Sequence, residues 1–115
     1  MKIDRYQSGK RMSEAVACGG LIYLSALAAP EQTHSVITQT QNILEKLDRI
    51  LLEAGTSKSK LIQASVWLAD IGDYAAMNSV WDGWVAPGAA PARTCSETRF
   101  SVPDILIEIS GIAAL

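Results

Sequence analysis

Apolar and polar positions along the chain change their period several times, and each change predicts a new element. Residues 2–7 alternate weakly and residues 13–18 alternate better, which predicts two strands. Residues 21–28 form a continuous apolar run, which predicts a buried strand, and Gly19-Gly20 before it is a two-residue turn signal. The second and third strands are therefore predicted to form a hairpin.

The segment after the hairpin has the period of an amphipathic helix. Thr33 or Ser35 can cap its first turn, and Gly55 stands where a glycine commonly ends a helix. Between these limits apolar positions recur three and four residues apart, at Val36, Thr40, Ile43, Leu44, Leu47, Ile50, Leu51 and Ala54. Such a stripe predicts a helix that buries one face.

A second helix is predicted after a strand at residues 61–68. Asp70, Gly72 or Asp73 can cap this helix, and the Pro-Gly pair at 87–88 ends it. Its apolar stripe consists of Tyr74, Met77, Asn78, Trp81, Trp84 and Val85. The aromatic residues of this stripe are interpreted as core or helix–sheet packing, not as a cofactor site.

Two more strands complete the predicted order, one at residues 92–100 and one at residues 105–112. The last has apolar residues on both faces, which indicates a central position. The order predicts a single α+β domain over residues 1–115, with a mixed sheet and both helices on one face. The other face carries small or apolar side chains and lacks a helix, so we expect an oligomer to bury it.

Composition narrows the class of protein. The chain has 115 residues, of which 49% are hydrophobic and 19% charged, so disordered and fibrous classes are excluded. Ten basic against twelve acidic residues, with a net charge of −2, argue against a nucleic-acid partner. The longest apolar stretch, residues 21–30, is too short to span a bilayer, and the first ten residues contain no apolar core, so we expect neither a membrane partner nor a signal segment. A cytoplasmic location is expected.

The sequence contains few of the side chains that commonly bind metal ions. Two cysteines, Cys18 and Cys95, do not make a disulfide framework, and His34 is the only histidine. We therefore expect no metal and no cofactor. Gly19-Gly20 lacks the further glycines and the lysine of a phosphate loop.

Arg93 and Cys95 are the first candidates for chemistry. Arg93 begins a strand after four small residues, where its guanidinium can give a carboxylate two parallel hydrogen bonds. The alternative is an edge-strand charge, or an ion pair with Glu97. Cys95 shares the strand face of Arg93, and a neighbouring cation lowers the pKa of a thiol. The alternative is a small buried residue.

Glu108 is the most conspicuous residue by local pattern, because it interrupts the apolar run at residues 105–109. A carboxylate in such a place is either paired or has a raised pKa. A raised pKa suits a residue that handles protons or orients water. The alternative is a buried salt bridge, with Arg93 or Arg99 as the partner.

Three segments together resemble the Rid family (reactive intermediate deaminase, YjgF type). They are residues 11–16 with 23–25, residues 64–70 with 74–78 and the two following tryptophans, and residues 90–95 with 107–109. The resemblance is greatest to the short subgroup and not to the archetypal branch. It implies a chorismate-mutase-like α+β fold and a homotrimer whose sheets form a central β-barrel, with three clefts between the subunits.

Archetypal members hydrolyse enamines and imines, such as 2-aminoacrylate and 2-iminopropionate, to 2-keto acids and ammonia without a cofactor. By position, the resemblance makes Arg93 the residue that binds the substrate carboxylate and Glu108 the residue that places or activates water. Cys95 matches a residue that lines the cleft. Ser25 and Ala26 fall where the family backbone lines it.

The sequence also departs from the family pattern. Ala26 replaces a usual glycine, Leu27 stands where a glutamine is common, and Ala89 replaces a histidine of the short subgroup. The tyrosine of the archetypal N-terminal strand is not matched, since Arg11 or Met12 lies there. Arg11 is either a second anion contact or part of a structural ion pair.

Two functions stay open on this reasoning. The first is a deaminase of 2-enamine and 2-imine acids. The second is a non-catalytic trimer that binds a small carboxylate metabolite. Arg93 supports both, and Glu108 favours the enzyme, because a carboxylate binder gains nothing from a nearby negative charge.

Overall fold

The computed structural model describes residues 1–31 and 33–115. Its regular elements are β1 (Ile3–Tyr6), β2 (Ala15–Cys18), β3 (Leu21–Leu27), α1 (Val36–Glu53), β4 (Leu61–Leu68), α2 (Tyr74–Trp84), β5 (Ala92–Glu97) and β6 (Ile107–Ala114). Single turns of 3₁₀ helix, Lys58–Lys60 and Ile71–Asp73, precede β4 and α2. The predicted order of strands and helices is confirmed. No helix in the described ranges is long and apolar enough to cross a membrane.

The strands form one sheet in the order β1-β2-β3-β6-β4-β5. Neighbours are antiparallel except β4 and β5, which are parallel, so the mixed sheet is confirmed. The last strand of the chain lies at the centre, between β3 and β4, as its apolar run predicts.

The predicted bounds of the last two strands were wrong. The strand expected at residues 92–100 ends at Glu97, and the one expected at 105–112 runs from Ile107 to Ala114. The segment between them turns where the backbone N–H of Ile105 donates to the carbonyl of Val102, 3.2 Å away. A local turn of this kind uses backbone groups that a longer strand would need for pairing.

The signals at the ends of the elements act as predicted. Gly19 and Gly20 have φ angles of +62° and +82°, which the tight turn of the β2–β3 hairpin requires. Ser35 caps α1, since its Oγ accepts from the Thr38 N–H at 3.2 Å, and Gly55 follows the helix. Asp70 caps the short turn before α2 rather than α2 itself.

One face of the sheet, here called the helix face, packs against both helices. Its buried side chains alternate along the strands and lie in register across them: Ala15, Ala17, Ile22, Leu24, Ala64, Val66, Leu68, Ile107, Ile109 and Ala113. They form one core with the buried stripes of α1 and α2. The prediction of two helices on one face is confirmed.

Gln39 is a buried residue that the apolar stripe of α1 did not predict. Its Nε2 donates to the carbonyls of Thr33 and Asp104, at 2.6 and 3.0 Å, and its Oε1 accepts from the Leu106 N–H at 3.0 Å. A buried amide with these partners satisfies backbone groups that would otherwise be costly to bury. It fixes the entry to β6 against the start of α1.

The other face, here called the open face, has no helix over it. It carries side chains that are half-buried or exposed in a single chain, among them Val16, Leu21, Tyr23, Trp67, Glu108 and Ile112. Tyr23 is 45% exposed at the middle of β3. A large apolar surface of this kind usually marks an interaction site.

Gly111 offers a test of the sheet geometry, because β4 is irregular beside it. A Cβ at this position would lie 2.5 Å from the carbonyl oxygen of Gln63. Gly111→Ala is therefore expected to lower the free energy of unfolding by about 1–3 kcal/mol, the usual cost of overpacking. Gly83→Ala, where a Cβ meets nothing within 4 Å, is the matched control. Chemical denaturation that gives equal stabilities for the two variants would contradict this packing.

Candidate functional site

Arg93 lies on the edge strand β5, opposite Ala64, so its side chain belongs to the helix face. Its Cζ stands 5.0 Å from the centroid of the Trp81 ring and 5.8 Å from that of Tyr74. Nη2 donates to the Tyr74 hydroxyl at 3.3 Å, and Nη1 lies 3.9 Å from the sulfur of Met77. Aromatic faces and a neutral hydroxyl orient a guanidinium, but they leave its charge uncompensated.

No carboxylate in residues 1–31 and 33–115 forms an ion pair with Arg93. Glu97, which the sequence analysis gave as an alternative ion-pair partner of Arg93, instead accepts a 2.9 Å hydrogen bond from the Ile71 N–H. That bond ties the end of β5 to the turn before α2. A half-buried cation without a counter-ion is a natural anion site.

Cys95 lies on the same face as Arg93, opposite Val66 of β4. Burial raises the pKa of the Cys95 thiol, and the positive charge of Arg93 acts in the opposite direction without overcoming it. The thiol is therefore protonated at neutral pH, which suits a side chain that shapes a site and not a nucleophile.

Glu108 lies on the open face at the middle of the sheet, opposite Trp67 of β4. Burial raises the pKa of its carboxyl group. It lines an open cleft of about 310 Å³, together with Ala26, Arg99 and Phe100. Within the described residues Glu108 has no ion pair, so the predicted alternative of a salt bridge with Arg93 or Arg99 is not found there.

Ala26 lines this cleft at a point where β3 is irregular, and Ser25 directly precedes it. The register of β3 against β6 shifts between Leu24 and Leu27, and the Ser25 N–H bonds the carbonyl of Glu14 at 2.9 Å. Such an irregularity re-aims side chains, and Ala26 lines the cleft beside Glu108. The Ser25 Oγ is buried and has no hydrogen-bond partner among the described residues.

Arg11 is exposed in the segment between β1 and β2. It forms no ion pair with any described residue, so the structural ion pair that the sequence allowed is not found within one chain. The described part of the chain likewise contains no group of three or more His, Cys, Asp or Glu side chains that could hold a metal ion.

Sequence reasoning missed the roles of Tyr74 and Trp81. Both were interpreted as packing residues of an apolar stripe, whereas they also hold the guanidinium of Arg93. The spacing of the stripe did show that Tyr74 and Trp81 lie on one side of α2 and could contact the same residue. The sequence alone does not predict that this side of α2 packs against β5, which carries Arg93.

The register of β4 separates the two residues predicted to be catalytic. Arg93 pairs with Ala64 on the helix face, whereas Glu108 pairs with Trp67 on the open face. Residues an odd number apart on a strand point to opposite faces of a sheet. A single chain therefore does not bring Arg93 and Glu108 together.

Comparisons with known proteins agree on one family. A family model described as endoribonuclease L-PSP matches residues 2–115. A RutC family protein of Haemophilus ducreyi is 35% identical over 113 residues, which cover 98% of this chain and 97% of that protein. The RutC family protein YoaB of Escherichia coli is 34% identical over the full length of both chains. A crystal structure of a YjgF protein family member from Neisseria meningitidis superposes with a TM-score of 0.96 at 41% identity, covering 99% of this chain and 95% of that one.

Glu108→Gln is expected to raise the free energy of unfolding at pH 7–8 and to leave it unchanged below about pH 4. Burial raises the pKa of Glu108 in the folded state, so the wild type loses stability as pH rises through that value, whereas glutamine does not ionise. Urea unfolding at several pH values and one protein concentration measures the difference, with Glu45→Gln on the exposed side of α1 as control. If Glu108→Gln raises the free energy of unfolding equally at pH 4 and pH 8, the pKa of Glu108 is not raised by folding.

Proposed function

The chain belongs to the YjgF/RutC family, and from that premise we propose that it hydrolyses 2-enamine and 2-imine acids to 2-keto acids and ammonia. Substrates of the 2-aminoacrylate and 2-iminopropionate type fit the proposal, and no cofactor takes part. The observation that carries it is the guanidinium of Arg93, held by aromatic rings and without a carboxylate partner in the described chain.

Arg93 binds the substrate carboxylate in this proposal. The guanidinium is planar, and its parallel N–H groups match the two oxygens of a carboxylate. Tyr74 and Met77 occupy only part of its donors, so an edge of the guanidinium is available to a ligand. By binding the carboxylate, Arg93 holds the neighbouring C=N carbon in a fixed position, and this positioning is its contribution to catalysis.

Glu108 handles the proton of the attacking water. Its carboxylate accepts a proton as the water oxygen bonds to the C=N carbon and the electron pair moves to nitrogen. With the imine nitrogen protonated at the start, this step gives a neutral carbinolamine. Glu108 then returns its proton to the nitrogen, and the C–N bond breaks as the hydroxyl oxygen forms the carbonyl group. Ammonia leaves, and the hydroxyl proton passes to the Glu108 carboxylate and from there to solvent. Burial raises the pKa of Glu108, which makes its carboxylate a stronger base than that of an exposed glutamate.

The two halves of this site meet between copies of the chain. We place the open faces inside a central β-barrel of a homotrimer, with the helices outside, so that the edge strand β5 of one copy lies against the cleft of the next. Arg93 and Cys95 then come from one copy, and Ser25, Ala26 and Glu108 from its neighbour. The apolar side chains of the open face support this arrangement, since Tyr23 is exposed and Ile112 only half-buried in a single chain. Arg11 is a further proposed anion contact.

A non-catalytic trimer that binds a small carboxylate uses the same Arg93. Glu108 separates the two functions, since an ionised carboxylate near the ligand repels an anion and is useful only for proton transfer. The description of the matching family model names an endoribonuclease, but a net charge of −2 does not favour binding to an RNA backbone.

The test is the loss of 2-iminopropionate, generated in place by an amino-acid oxidase from alanine. Arg93→Ala is expected to lower kcat/KM by about 10–100-fold through the lost charge-assisted hydrogen bonds. Glu108→Gln is expected to lower kcat by about 100-fold or more, the usual contribution of a general base. Arg49→Ala, exposed on α1, is the control.

Wild-type protein that forms a trimer but removes the imine no faster than the oxidase mixture alone would reject the deaminase. Retained carboxylate binding in that case favours the non-catalytic trimer. A Glu108→Gln variant as fast as wild type would remove Glu108 from the mechanism.

A further inference from the structure

Tyr74 presents an unused hydrogen-bond donor next to Arg93. Its hydroxyl oxygen accepts from Nη2 of Arg93 at 3.3 Å. Its own hydrogen has no acceptor among the described residues, and the side chain is 45% exposed. A phenol hydroxyl both donates and accepts, so the donation stays available to a ligand.

We propose that Tyr74 donates a hydrogen bond to the same carboxylate that Arg93 binds, and that Trp81 positions the guanidinium for this contact. The anion clamp is defined as Arg93, Tyr74 and Trp81. The proposal rests on the proposed function in one respect, the binding of a carboxylate at Arg93, and it does not require hydrolysis.

The helix geometry fixes the clamp. Tyr74, Met77 and Trp81 are spaced three and four residues apart, so they lie on one side of α2, towards β5. Met77 and Trp81 are buried, with Trp81 only 5% exposed, and they anchor that side in the core. Tyr74 stands in the first turn, where the helix reaches solvent.

The start of α2 is itself tied to β5. The Glu97 carboxylate accepts from the Ile71 N–H at 2.9 Å, and Asp70 accepts from the Gly72 N–H at 2.8 Å. The first bond holds the turn that precedes Tyr74 against the strand that carries Arg93, and the second closes that turn on itself. The two donors therefore keep their spacing without a ligand, which is the preorganisation that a binding site needs.

The clamp implies a substrate class. The guanidinium cation of Arg93 and the neutral hydroxyl of Tyr74 together match one planar carboxylate. A neutral ester of the same acid loses the charge-assisted bonds, so discrimination against the ester measures the clamp directly. Small monocarboxylates are the expected ligands.

The experiment measures binding of pyruvate and of methyl pyruvate by calorimetry, apart from any turnover. Tyr74→Phe keeps the ring over Arg93 and removes only the hydroxyl, so the Kd for pyruvate should rise about tenfold, as expected for one hydrogen bond to a charged group. Binding of the methyl ester should not change. In the imine assay the same variant should raise KM and leave kcat unchanged, since the contact is equal in the ground and transition states.

Tyr6→Phe is the matched control, because it also removes one tyrosine hydroxyl and lies on β1, at the opposite edge of the sheet from β5. Its Kd for pyruvate should stay within about twofold of wild type. Trp81→Leu should weaken pyruvate binding and also shift the Arg93 Nε–H resonance away from its ring-shifted position. If Trp81→Leu fails to fold, Tyr74→Phe alone decides.

Failure of the clamp and failure of the deaminase give different results. Wild type that binds pyruvate with the expected ranking of variants, but does not hydrolyse 2-iminopropionate, supports the clamp and rejects the deaminase. Tyr74→Phe that binds pyruvate as tightly as wild type overturns the clamp, whatever the imine assay shows. Wild type that does not bind pyruvate overturns it as well.

Discussion

The register of β4 against its two neighbours is the constraint on which the rest of the structure depends. β4 pairs with the edge strand β5 on one side and with the central strand β6 on the other. Because side chains alternate along a strand, Ala64 places Arg93 on the helix face and Trp67 places Glu108 on the open face. Each charged side chain thereby has its own environment, and neither can neutralise the other within one chain.

Those environments give the two residues complementary chemistry. Arg93 rests on aromatic rings that orient its guanidinium and leave its charge for a ligand. Glu108 is half-buried on the sheet, and this burial raises the pKa of its carboxyl group, which makes the carboxylate a stronger base. A guanidinium and a carboxyl group, both without an ion-pair partner among the described residues, are the parts that the proposed imine hydrolysis requires. A second copy of the chain, whose edge strand meets the open face, is the proposed means of joining them.

Local signals predicted the order of the elements, the Ser35 cap of α1 and the central place of β6, because turn chemistry and apolar period act over a few residues. They did not predict that β5 ends at Glu97, or that a backbone turn at residues 102–105 precedes β6. Gln39 was missed because its partners lie in a distant segment. Candidate residues were visible by pattern, but which of them share a face depends on how β5 and β6 each pair with β4, and no local pattern contains that information.

The measurement that tests the shared site most directly is reassembly of a one-to-one mixture of Arg93→Ala and Glu108→Gln chains, followed by the imine assay. If each site takes Arg93 from one copy and Glu108 from its neighbour, about a quarter of the sites in random cyclic trimers are intact. The mixture should then recover about a quarter of wild-type activity from two variants that each keep about a tenth of it or less. A mixture as inactive as its components, in trimers shown by mass to contain both chains, would contradict the account.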